Sequence, residues 1–276
     1  MKLPPLLAIC LGATACIPAN CQLATPSVGY VRYPSGDVRS IYGLQGNYIV
    51  GDSVLSSGEA ASFSEAGGLI LRSGTLVLVD SKFATVATAE VHESAALLRI
   101  DGSPETAVAW LPGSRALVHW NGKSLATASL SSIGEGATVT SVRKLDANTA
   151  SLLVSKPDGT LTRNRISLRT GELKSSQPVA ATCNSSWEDG SRILCFSDRK
   201  FSILSPVGDI LQALPLPVDG NVAMEQASAR CLHVSGKPPG EDWLLHLDDK
   251  DLQLYQLPSP KNNPAPEPGA KSESAQ

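Results

Sequence analysis

The chain contains no run of lysine or arginine, and only 18% of its 276 residues are charged, for a net charge of −3. An electrostatic grip on a phosphate backbone therefore has no basis, and no nucleic-acid partner is expected. Past the N-terminus there is no apolar stretch long enough to cross a bilayer, so no transmembrane segment is expected. There is no Cys-x-x-Cys, and the four histidines (His92, His119, His233 and His246) show no His-Glu-x-x-His or other ligand spacing. A metal cage is disfavoured on that count. Glycine-rich phosphate loops are missing as well, and no cofactor is expected. Long windows of 3.6-residue periodicity are scarce, while Ser, Thr, Gly and Val are plentiful, which argues against a helical protein.

The N-terminus, by contrast, carries a signal. Lys2 precedes a short apolar segment, Leu6 to Cys16, and small residues lead into Ala19-Asn20-Cys21-Gln22. This is the layout of an export signal with cleavage after residue 21, and it places the protein in the periplasm or outside the cell. Ala13-Thr14-Ala15-Cys16 loosely resembles a lipobox, giving lipidation at Cys16 as the second reading. Domain boundaries follow: a signal peptide over 1–21, a folded unit over 22–257, and a tail over 258–276 rich in Pro, Ser, Lys and Glu that cannot bury a core.

Export leaves Cys183, Cys195 and Cys231. The turn signal Trp187-Glu-Asp-Gly-Ser191 lies between the first two. A hairpin centred on Asp189 sets residues 183 and 195 opposite each other, within disulfide range. In an oxidising compartment a Cys183–Cys195 bridge is expected, the alternative being two reduced, buried thiols.

One pattern recurs along the chain: a strand, a small polar turn, a second strand. It occurs at Val28–Tyr33 with Asp37–Tyr42, at Gly68–Arg72 with Thr75–Asp80, and at Ala107–Leu111 with Arg115–Trp120. It returns at Ser151–Ser155 with Leu161–Ile166, at Arg192–Phe196 with Lys200–Leu204, and at Arg230–Val234 with Trp243–Leu247. The spacing is about 40 residues, and each repeat has room for a strand before and after the hairpin. The candidates for the leading strand are small and Ala/Thr-rich: 60–64, 95–100, 137–142, 180–183 and 221–224. Consecutive apolar residues such as Leu76-Val-Leu-Val79 imply sheets covered on both faces. The expected fold is an all-β propeller of about six four-stranded blades, with five or seven blades as alternatives and a two-sheet sandwich held as the lesser one. The first repeat lacks an obvious innermost strand.

These repeats resemble WD40-like and YVTN-type β-propeller proteins of the exported bacterial kind. The likeness is one of pattern over about residues 28–257, and Leu69–Val86 is nearest to a YVTN unit. The Gly-His and Trp-Asp dipeptides of true WD40 blades are absent.

Chemistry is harder to find. Gly51-Asp52-Ser53 resembles the nucleophile block of GDSL/SGNH esterases, but that family's Asp-x-x-His is matched only by Asp242-Trp-Leu-Leu-His246, one residue too long. A turn after the last strand of repeat one is the preferred reading of Gly-Asp-Ser. His119 and His246 read as packed residues of apolar strands. No catalytic or metal-binding residue is assigned. Propellers bind at the mouth of the central channel, where the hairpin loops converge. Arg115, Lys156, Lys200 and Lys237 on those loops are the ligand-binding candidates, a basic bias that favours a weakly anionic partner. The expected function is a monomeric binding or scaffolding module for an unknown protein or small-molecule partner. The alternative is a propeller-type hydrolase or lactonase with its active site at the channel mouth.

Overall fold

The computed structural model describes residues 26–131, 133–218, 220–236, 241–247 and 252–259. The export segment, Lys237 and most of the tail lie outside them. Six antiparallel sheets are built in sequence order. The first holds β1 (Ser27–Arg32), β2 (Val38–Leu44) and β3 (Asn47–Leu55); the second holds β4 (Ala60–Ser64), β5 (Gly67–Arg72), β6 (Thr75–Asp80) and β7 (Thr85–Glu90). The third holds β8 (Leu97–Arg99), β9 (Val108–Leu111), β10 (Ala116–Trp120) and β11 (Leu125–Ser129); the fourth holds β12 (Thr138–Asp146), β13 (Thr149–Ser155), β14 (Leu161–Ser167) and β15 (Leu173–Val179). The fifth holds β16 (Ser185–Asp189), β17 (Arg192–Ser197), β18 (Lys200–Leu204) and β19 (Ile210–Pro215); the sixth holds β20 (Ala223–Ser228), β21 (Cys231–Ser235), β22 (Asp242–Leu247) and β23 (Leu252–Gln256). Each sheet is a blade that runs from the axis outward in chain order. Among the described residues no helix is long and apolar enough to cross a membrane.

The apolar runs are explained by which neighbour each residue meets. Side chains alternate across a strand, so Leu69 and Leu71 of β5 pack toward the third blade while Ile70 packs toward the first. Likewise Leu194 and Phe196 of β17 face the sixth blade, and Ile193 and Cys195 face the fourth. Every one of the six interfaces between successive blades, including the one between the last and the first, has its own cluster of buried apolar side chains. A closed ring is the arrangement that gives each blade two covered faces, and closure also removes open flanks.

The ring closes in an unequal way. β1 pairs with β2 as the second strand of an ordinary blade does, and no strand precedes it among the described residues. β4 and β20 instead approach each other across the front of the first blade, where the Ser62 hydroxyl donates to Gln226 Oε1 at 3.1 Å. β1 lies so close to β20 that a Cβ on Gly29 (φ +151°) would sit 2.2 Å from the Ala227 carbonyl oxygen. Five innermost strands therefore surround the axis of a six-bladed ring.

Two sequence expectations need correction. The innermost strand of the fifth repeat is Ser185–Asp189, not 180–183, because the turn sits at Gly190-Ser191 and pairs Asp189 with Arg192. Gly51-Asp52-Ser53 is not a turn but lies within β3, the outermost strand of its blade.

Candidate functional site

The five innermost strands β4, β8, β12, β16 and β20 begin at the same end of the axis. The hairpin turns sit at that end too: Ala60 pairs with Leu71 beside the 73–74 turn, and Ser185 pairs with Phe196 beside the 198–199 turn. The loops that lead from each outermost strand into the next blade converge there as well. Small residues border this space where the chain enters the innermost strands: Ala60-Ala61 of β4, Ser94-Ala95-Ala96 just before β8, and Ser185-Ser186 of β16. Between them lies a cavity of about 290 Å³, at the low end of the range for ligand pockets.

Charge is distributed unevenly along this cavity. At the mouth, Arg32 of β1 grips Glu225 of β20, with Nη2 2.7 Å and Nε 3.0 Å from Oε1. Both side chains keep about a fifth of their surface exposed (21% and 18%). Glu59 also borders the mouth. Thr140 and Ser186 form part of the wall, their hydroxyls 2.5 Å apart.

Below the wall residues Leu98 and Trp187 the axis is filled by charge. The Arg99 guanidinium is buried over the Trp187 ring, 4.5 Å from its centroid, and donates to Asp101 Oδ1 at 2.6 Å and to the Glu188 carbonyl. Arg143 donates to the other oxygen of Asp101 at 2.9 Å. Burial lowers the Arg99 pKa, an effect that Asp101 opposes. For Asp101 burial works upward, but Arg99 and Arg143 overcome it and hold the carboxyl below its ordinary value. Arg163 and Glu188 form a separate pair at 3.3 Å. Beside this cluster Arg192 pairs with Asp189, whose carboxylate also acts on Arg99.

Of the loop residues singled out in the sequence, Arg115, Lys156 and Lys200 lie at this end of the axis but outside the cavity lining, and Lys237 is outside the described residues. Arg115 adopts a left-handed conformation (φ +53°) and donates to the Ile133 carbonyl. Lys156 and Lys200 are exposed. Cys183 and Cys195 are joined by a disulfide with Cα atoms 5.3 Å apart. The pairing route differs from the symmetric hairpin argument. Cys195 lies opposite Ser186, and Cys183 reaches it from the loop before β16.

Cys231 is free and buried, with its Sγ 3.6 Å from His246 Nε2, and burial pushes its thiol up to about 11. Tyr48 lies 2.6 Å from the same nitrogen, its own pKa pushed up to about 12 by burial. The esterase-like elements stay apart in their bonding: Ser53 Oγ donates to the Leu55 carbonyl at 3.0 Å, and Asp242 is 2.8 Å from His233. Among the described residues no three His, Cys, Asp or Glu side chains group to hold a metal. His119 is buried in β10. Arg32, Glu59, Glu225 and the Arg99–Asp101–Arg143 cluster were not legible as a site. Their one sequence signal is an arginine or glutamate placed within or beside an apolar strand, a weak signal without the fold.

The topology defines a six-bladed β-propeller with a charged cluster beneath an axial cavity. No family model matches the sequence, and no curated protein matches it. Similar solved structures include the β-propeller domain of Myceliophteria thermophila Cps50 (Swd1), at 14% identity and TM-score 0.46, covering 85% of this chain and 88% of that one. The WD40 domain of Toxoplasma gondii coronin gives 9% identity and TM-score 0.44, with coverages of 82% and 68%. Kluyveromyces lactis Hsv2p gives 11% and 0.41, with coverages of 84% and 97%. Likenesses this distant assign no function.

Proposed function

We propose that this chain is an exported binding or scaffolding module that docks a protein partner on the face bearing the cavity mouth. The observation that carries the reading is the convergence, at one end of a closed ring, of the hairpin turns, the loops between blades and the cavity. A rigid ring presenting loops from every blade suits partner binding, since loops held by a scaffold are where recognition residues concentrate. Export is supported by the Lys2 and Leu6–Cys16 pattern and by the Cys183–Cys195 bridge, a bond that persists in oxidising compartments.

The test is capture from the envelope fraction of the source cells, comparing the native chain with two exposed-site variants. Asn184→Trp adds bulk at the mouth, and Asp52→Ala alters the outer strand of the first blade. A partner retained by Asp52→Ala and lost by Asn184→Trp supports the reading; one lost by neither places docking elsewhere. A preference for an anionic partner surface follows from Arg115, Lys156, Lys200 and Lys237. Lys156→Glu combined with Lys200→Glu should weaken capture of the same partner at low salt and have less effect at high salt. An unchanged yield removes the anionic preference.

A further inference from the structure

A second cleft, of about 670 Å³, opens between the third and fourth blades at the opposite end of the ring from the axial cavity's mouth. One wall is the 3₁₀ turn Pro104–Thr106 that leads into β9; the other is the end of β12, which at nine residues outruns the other innermost strands. Lys144 of β12 lies in this cleft with 8% of its surface exposed. Its Nζ donates to the Trp120 carbonyl and forms no ion pair among the described residues. Glu105 and Asp146 act on it through their field, but both are exposed and bonded elsewhere. Glu105 is bonded to its own backbone N–H and to Ser103, and Asp146 accepts from the Asn148 N–H at 2.7 Å. A buried ammonium with a single hydrogen bond and no ion pair is unfavourable, and burial lowers the Lys144 pKa despite both carboxylates. His119 lines the same cleft with 7% of its surface exposed, and its Nδ1 has no hydrogen-bond partner. Burial and then Lys144 lower the His119 pKa, so the ring is not a second cation at neutral pH.

Counted over the lining, Lys144 and the exposed Arg169 balance Glu105 and Asp146, so a dianion meets no surplus of positive charge. A single negative charge against Lys144 is served better, because that cation is interior while the carboxylates stand at the rim, where water and salt screen them. Trp120, Ala126, Leu145 and Leu168 add apolar surface, and the volume falls within the range of small-molecule sites. We infer that this cleft binds a small organic monocarboxylate with an apolar body, its carboxylate accepting from the Lys144 ammonium and its body lying against Trp120 and Leu145. The site is separate from the docking face and does not rest on that reading.

The experiment is calorimetric titration of the full folded chain with 3-phenylpropanoate up to about 10 mM, a range that reveals dissociation constants near 1 mM. The acid should bind. Its amide, which lacks the charge, and acetate, which lacks the body, should each bind about tenfold more weakly. Lys144→Met keeps the apolar stem and removes the ammonium, and it should weaken binding about tenfold. Leu145→Asp sets a carboxylate into the cleft at a position that is 38% exposed. It should weaken binding to a similar degree with the thermal midpoint unchanged, and it decides the matter if the lysine variant fails to fold. Any of three results overturns the inference: 3-phenylpropanoate does not bind, its amide or acetate binds as well as it does, or either folded variant binds it as the native chain does. Failure here leaves the capture experiment on the rim unaffected, so the two readings fall separately.

Discussion

Asp101 serves two guanidinium groups at once, and its removal would take from buried Arg99 the carboxylate it bonds, leaving it only the field of Asp189. Asp101→Asn should destabilise the chain by about 3 kcal/mol, the usual scale for breaking one side of a buried ion pair, measured by urea unfolding at neutral pH. The native pKa of Asp101 lies below its ordinary value of 3.8. Its contribution to stability is therefore full above that value and is lost as pH falls through the depressed native one. The native chain should lose stability over that acid window more steeply than Asp101→Asn, and parallel pH profiles would contradict the assignment. Cys231 supplies a second residue-scale expectation. A buried thiol with a raised pKa holds little thiolate, so iodoacetamide at about pH 8 should label it only after unfolding. Cys231 was visible in the sequence as the cysteine left over from the bridge, but Arg99, Asp101 and Arg143 were not, because a charge buried near an axis has no local pattern; it becomes visible only when blades far apart in sequence are brought together.

Strands were more legible than charges, and the reasons are local. Hairpin turns such as Ser73-Gly74 and Asp158-Gly159 mark their own positions, and β4, at Ala60–Ser64, falls where its small residues placed it. The innermost strand of the fifth blade was misplaced because Trp187-Glu-Asp-Gly-Ser191 contains three residues, Trp187, Glu188 and Asp189, that extend the strand before the turn begins. A shift of this kind exchanges partners without changing composition. The bridge between Cys183 and Cys195 ties the loop before β16 to β17 across a separation of 12 residues. Replacing both with Ser should lower stability by about 2–4 kcal/mol, read as a drop in the thermal midpoint that reducing agent reproduces in the native chain. Gly29 tests the contact between β1 and β20. With the Ala227 carbonyl 2.2 Å from where a Cβ would stand, Gly29→Ala must push the two strands apart. Its cost should exceed the ~0.5–1 kcal/mol of an ordinary strand substitution. A neutral effect would mean that the strands do not meet as described.

At the scale of the whole molecule, six thin sheets share six apolar interfaces, and the axial site exists only because the sixth interface joins the end of the chain to its beginning. The approximate blade number was readable from the spacing of the hairpins. How the ring closes was not, since the approach of β4 to β20 in front of the first blade depends on no motif in either strand. That closure is also what carries Arg32 to Glu225 and sets the charge at the mouth. The joint is seen most directly between aromatic rings: Tyr48 of β3 stacks on His246 of β22, with centroids 6.0 Å apart, and meets Tyr255 of β23 edge-on at 5.5 Å. Proton–proton NOE spectroscopy on the folded chain, with these three rings assigned, should show cross-peaks from Tyr48 to both His246 and Tyr255. Cross-peaks between His246 and Tyr255 alone, with none to Tyr48, would show an open ring and contradict the account.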